Sequence, residues 1–180
     1  MERIASCLDC PTSFFYRTDV PLAPGTCLYH RKQASLPRMT LKELNAKVNK
    51  NRMHVASLLD GARIRPALTF PRMDIQDCGG DAKKIAEDIR VAWRLPSGPI
   101  RNLIQVIERA GGIVVTMGFS TPKLSAICHS ETPPMFFVNA AISADRFRYT
   151  LAHEIGHLVM HHMPTENQEK EADAFAAEFL

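Results

Sequence analysis

His153-Glu154-Ile155-Gly156-His157 lies within a stretch that reads as one long helix, capped by Ser143, running through His162 and broken by Pro164. Two imidazoles four residues apart on a helix project from the same face and can hold one metal ion at ~2.0–2.1 Å. Glu154 points to the side of that pair, where a metal-bound water would sit. Zinc lowers the pKa of such a water to about 7, and a carboxylate beside it can take the proton as the water attacks a carbonyl.

A tetrahedral catalytic zinc needs a third protein ligand and one open position. Glu169, twelve residues past His157 and beyond Pro164, becomes that ligand if the chain folds back as helix–turn–helix. Glu171 competes with it, but the two are rotated by about 200° on a helix, so only one can face the metal. Asp173 shares the face of Glu169 and can accept the second ring N–H of a ligand histidine, fixing its tautomer. Ala172, Ala176 and Ala177 are small enough to let the two helices approach closely. Tyr149, four before His153, and His161, four after His157, are candidates to contact substrate or stabilise an oxyanion.

Outward from this segment the chain divides in two. Residues 79–180 read as an α+β unit. Asp81 caps a helix to about Trp93 bearing Ile85, Ile89 and Ala92, and Pro99 suits the first position of another that ends at Gly111-Gly112. Three β-rich runs follow, Ile113–Met117, Leu124–Cys128 and Met135–Val138, and predict a small antiparallel sheet. Thr165-Glu166-Asn167-Gln168 has the form of a capping box opening a last helix. In residues 1–78, helical character to Pro11 and the Phe14-Phe15 pair are followed by a Pro- and Gly-rich connector, Arg17 to Pro37. A second capping box at Thr40-Leu41-Lys42-Glu43 then opens an amphipathic helix with Leu41, Leu44, Val48, Val55 and Leu59 on one face and Gly61 as its stop.

Glu169-x-x-Ala172-Asp173 after HExxH is the pattern of gluzincin metalloproteases. Arg148-Tyr149-Thr150-Leu151-Ala152-His153-Glu154-Ile155-Gly156-His157 together with Glu169 to Leu180 resembles the ImmA/IrrE metallopeptidase family. Phe136-Phe137-Val138-Asn139 and Trp93-Arg94-Leu95-Pro96 fit the same likeness, which covers roughly Ala82 to Leu180. It implies a mostly helical, zincin-like core with zinc as cofactor, in a cytoplasmic peptidase of narrow specificity. The implied substrate is a DNA-binding repressor protein. An edge strand, Ile113–Met117 or Met135–Val138, would hold that substrate extended.

Ile4-Ala5 and Pro11 to Phe15 resemble the tail of the helix-turn-helix domain in Xre-type regulators that carry this peptidase, and His30-Arg31-Lys32 resembles their connector. The recognition helices before Met1 and a Leu-Met-Pro continuation after Leu180 are missing, so the chain looks like a fragment or a shortened gene product. The rival reading is a transcription-regulator module whose zinc domain senses or binds a partner with little hydrolysis.

Composition narrows the field without choosing within it. With 46% hydrophobic and 23% charged residues, the 180-residue chain has the material for a folded core. A formal charge of +3 is too mild to name a nucleic-acid or membrane partner. Residues 31–52 hold seven Lys/Arg against one acid, Glu43, and read as the solvated face of the amphipathic helix in preference to a DNA contact. No apolar run is long enough to span a bilayer and no secretory signal opens the chain. Five cysteines without an export signal are expected to be reduced, Cys7 and Cys10 lack a second ligand pair, and Cys128 and His129, adjacent on a strand, point to opposite faces.

Overall fold

The computed structural model describes residues 1–7, 11–16, 37–62, 65–163 and 165–180. The expected connector, Cys10, Cys27, His30-Arg31-Lys32 and the break at Pro164 lie outside the described residues. Among the described residues, six α-helices and a three-stranded sheet form an α+β arrangement: α1 (Glu2–Cys7), a 3-10 turn (Thr12–Tyr16), α2 (Arg38–Asp60), α3 (Ala82–Ala92), α4 (Leu103–Arg109), β1 (Ile113–Met117), β2 (Ala126–His129), β3 (Met135–Asn139), α5 (Ala144–Met160) and α6 (Gln168–Phe179). No described helix is long and apolar enough to cross a membrane.

The sheet is mixed, which corrects the antiparallel expectation. Its order is β1-β3-β2, with β3 antiparallel to β2 (Ile127 beside Phe137) and parallel to β1 (Val115 beside Phe137). The short 130–134 connection forces β2 and β3 into a hairpin. The longer 118–125 connection carries the chain past the slot that β3 fills, so β1 and β3 run the same way. Alternation gives strands but not neighbours, so the period-2 pattern could not reveal this. Being central, β3 is apolar on both faces.

One face of the sheet, with Leu124, Ile127, Met135 and Phe137, receives Leu44 and Val48 of α2. Burying each of these side chains is worth about 1.5–3 kcal/mol. The other face, with Ala126, Cys128, Phe136 and Val138, joins the main core formed with Leu151, Ala152, Ile155 and Val159 of α5 and with α3 and α6. The sheet therefore lies between α2 and α5, and α5 is buried nearly all round from Leu151 to His157.

Helix ends show where local signals prevail. Asp81 accepts from the backbone N–H groups of Lys83 and Lys84 at 3.1 and 3.0 Å, a complete N-cap. The other expected starts are corrected. α2 begins at Arg38, before the Thr40 box, and Glu43 instead binds Lys47 and the hydroxyl of Ser120, which ties α2 to the loop after β1. The helix expected from Pro99 starts at Leu103, where the Asn102 side chain accepts from Gln105 N–H. α6 starts at Gln168, after Asn167, because Thr165 is used elsewhere. Ser143 precedes α5 without a side-chain cap bond, and α5 ends at Met160.

The packing between α5 and α6 is set by a glycine. A Cβ at Gly156 would meet the ring of Phe175 at 3.1 Å, so a larger residue there would push that ring or α6 back by a few tenths of an ångström. Ala172 and Ala176 are fully buried in the same layer, whereas Ala177 is exposed and takes no part. Residues 65–78 pack on the same unit. Met73 N–H donates to Val159 O and Ile75 N–H to Met160 O, and the Trp93 indole N–H donates to Thr69 O at 2.9 Å.

Candidate metal centre

A buried helix carrying two histidines and a glutamate needs a reason for those polar groups. His153 is 5% exposed, Glu154 1% and His157 0%. Burial without polar partners costs several kcal/mol, so the surrounding groups must satisfy them. α6 brings the partners by folding back across α5. The sequence signal for that fold-back was the paired acids of α6, and the tertiary contact decides which acid goes where.

Glu169 faces the histidines. Its carboxylate lies 3.9 Å from His153 Nε2 and 3.6 Å from His157 Nε2, and the two Nε2 atoms are 3.0 Å apart. A tetrahedral ion with ligands at ~2.0–2.1 Å separates them by ~3.3–3.4 Å, so the three donors already approximate one face of a coordination tetrahedron. Among the described residues these three form the group able to hold a metal ion, all within 4.8 Å of one another. Two imidazoles and one carboxylate are a donor set that suits zinc.

Each histidine has its other ring nitrogen engaged. His153 Nδ1 lies 2.8 Å from Asp173 Oδ1, which also receives the Tyr149 hydroxyl at 3.1 Å. His157 Nδ1 lies 2.9 Å from His161 Nδ1, and His161 Nε2 lies 2.9 Å from Glu171 Oε2, which accepts from the Thr165 hydroxyl at 2.9 Å. Glu171 thus faces away from the ligand cluster, as its rotation from Glu169 on the helix requires.

Beside the cluster, a cleft of about 190 Å³ is walled by Ser125 and Ala126 from the sheet edge and by Arg146, Tyr149, His153 and Glu154 from α5. Residues 107–180 match the IrrE N-terminal-like domain of peptidase family M78. This segment is an ImmA/IrrE-family domain. No curated protein and no solved structure matches the chain. Family M78 is a metallopeptidase family, and this ImmA/IrrE-family domain has a His-His-Glu cluster able to serve as its metal site. The match begins within α4, so α3 and everything before it lie outside the matched segment.

Two expectations about the ImmA/IrrE-family site are corrected by position. His161 is 2% exposed and sits behind His157, outside the lining of this cleft, and borders instead a separate cavity of about 920 Å³. Burial pushes its pKa down, and the Glu171 carboxylate opposes that shift. The strand beside the cleft is β2. β3 is central and β1 is the opposite edge of the sheet, so neither of the strands expected to hold a substrate borders His153 and Glu154. Tyr149 does line the cleft, and its hydroxyl pKa is raised by burial and then by Asp173.

Sequence reasoning also missed Arg146, Ser125 and Thr165. For Arg146 the signal was available, since it lies seven residues before His153 and two helical turns place both on one face. For Ser125 and Thr165 there was none, because each depends on a loop path.

Proposed function

We propose that the ImmA/IrrE-family domain is a zinc-dependent endopeptidase acting on one regulatory protein. The observation that carries this reading is the convergence of His153 Nε2, His157 Nε2 and the Glu169 carboxylate beside a cleft that Glu154 lines. The bound ion would polarise a carbonyl and activate a water for its attack. Glu154 then takes the water's proton and hands it to the leaving amine. Asp173 holds the His153 ring in the tautomer that puts the lone pair on Nε2, where a metal would bind, and Tyr149 in turn steadies Asp173. Tyr149 is also the candidate oxyanion donor on the cleft side.

The substrate runs extended along β2. Asn139 N–H donates to Ser125 O at 2.8 Å, which sets the ladder parity. The backbone groups of Ala126 and Cys128 then point away from β3, the orientation that an added strand would use. That the regulatory protein is a DNA-binding repressor is supported by the resemblance of the α5 and α6 segments to peptidases of that kind.

Metal analysis of the purified chain beside His153→Ala and Glu169→Ala tests the site, and cleavage assays on a peptide library test the activity. One zinc per chain, lost in both variants, together with hydrolysis abolished in a zinc-loaded Glu154→Gln variant, is the expected result. A zinc-loaded parent that cleaves nothing, while Glu154→Gln retains the cellular effect, would instead favour a partner-binding regulator module.

A further inference from the structure

The two ligand histidines are anchored by different means. His153 reaches a carboxylate directly through Nδ1, whereas His157 reaches one through a second imidazole. The two imidazoles of this second path are buried, with side chains 0% and 1% exposed for His157 and His161, and Glu171 at its end is partly buried at 20% exposed.

Hydrogen bookkeeping gives the path a direction. An ionised Glu171 only accepts, and it already accepts from Thr165, so the proton on the His161–Glu171 contact belongs to His161 Nε2. A neutral His161 protonated there has a bare Nδ1. The Nδ1–Nδ1 contact at 2.9 Å needs one proton, which must then come from His157. His157 protonated on Nδ1 has its lone pair on Nε2, the atom that faces Glu169 and lies 3.0 Å from His153 Nε2; with a lone pair on each, that second N–N contact is one that a metal ion would fill in place of a proton. The reverse polarity would put a proton on His157 Nε2 and remove a metal donor.

We propose that Glu171 is a positioning residue that acts through His161 to present the His157 Nε2 lone pair to the metal. The proposal rests on the His153, His157, Glu169 reading of the site. It gives the two glutamates of the Glu169-Lys170-Glu171 segment different duties: Glu169 binds the ion, and Glu171 orders a ligand from behind.

The test combines zinc affinity, measured by competition with a chromophoric chelator, and ¹⁵N NMR of the histidine rings in the zinc-loaded chain at about pH 8, where unliganded imidazoles are neutral. In the parent, His161 is expected to carry its proton on Nε2 and His157 on Nδ1. Glu171→Met keeps the bulk but not the acceptor. It should weaken zinc binding by ~10–100-fold and scramble the His161 tautomer, while Glu171→Gln, whose carbonyl still accepts, should recover most of both.

Zinc affinity of Glu171→Met within about twofold of the parent overturns the proposal, since the loss expected is ~10–100-fold. So does a parent His161 protonated on Nδ1, a result that stands even if Glu171→Met fails to fold. A parent that binds no zinc, or binds it undiminished after His153→Ala, overturns the metal site itself and this proposal with it. A parent that binds zinc through His153 while Glu171→Met matches it overturns the relay alone.

Discussion

His153 Nδ1 and Asp173 Oδ1 are 2.8 Å apart, and Asp173 reaches that position from a side chain that is 56% exposed. An exposed carboxylate is not held there by burial, so the ring and the Tyr149 hydroxyl are what orient it. Asp173→Ala should lower zinc affinity by ~10–100-fold, whereas Tyr149→Phe, which removes one hydrogen bond worth about 0.5–1.5 kcal/mol, should change it less than tenfold. Chelator competition on both variants checks this; equal affinities for Asp173→Ala and parent would show that packing alone fixes the ring.

Gly156 faces the Phe175 ring, and that ring is fully buried and stacked on Phe179 with centroids 5.3 Å apart. Gly156→Ala gains ~1 kcal/mol of helix propensity but forces a contact of 3.1 Å on a fully buried ring. Overpacking of this kind costs ~1–3 kcal/mol, so a net destabilisation of up to about 2 kcal/mol is expected. Urea unfolding would measure it, and Phe175→Leu in the same chain should relieve it. A more stable Gly156→Ala protein would mean that α6 can shift.

Arg90 ties three carbonyls together, those of Phe179, Pro96 and Gly98, each at 2.6 Å. One planar fork thereby joins the end of α6 to α3 and to the turn before α4, a task lysine cannot copy. Arg90→Lys should destabilise the domain by ~1–3 kcal/mol and, by loosening α6, should raise amide exchange around Phe175 and Phe179. Exchange unchanged at those sites would leave the fork without a structural role.

His129 is 3% exposed, its Nε2 has no hydrogen-bond partner, and burial pushes its pKa below the ordinary imidazole value. Below about pH 6.5 the unfolded chain binds a proton that the folded chain refuses, so stability falls as pH drops through that value and rises again above it. His129→Gln should flatten the stability–pH curve between about pH 7.5 and 5 relative to the parent, both measured with chelator present. Parallel curves for the two proteins would place the acid sensitivity elsewhere.

How far the sequence reached depends on how local each feature is. The HExxH pair shares a helix face because four residues make about one turn, a matter of covalent geometry. Asp81 caps α3 for the same kind of reason, its carboxylate being within reach of N–H groups two and three residues on. The apolar positions Leu44 and Val48 of α2 and Ile85 and Ile89 of α3 are buried as their spacing predicts. These features were legible because each is decided within a few residues.

The tertiary structure decided everything that depends on what lies across a gap. The capping boxes at Thr40 and Thr165 satisfy every local rule, yet Glu43 binds Ser120, 77 residues on, and Thr165 binds Glu171 of the next helical turn, because a partner outside the box outcompetes the nearby N–H. Strand direction followed from loop lengths and from which slot β3 fills, so the parallel β1–β3 pair left no mark on the alternation of either strand. The sequence pointed to Glu169 as the candidate third ligand with Glu171 as its competitor. The fold-back of α6 against Gly156 set the rotation of that helix about its axis, which turned Glu169 to the two Nε2 atoms and Glu171 to His161.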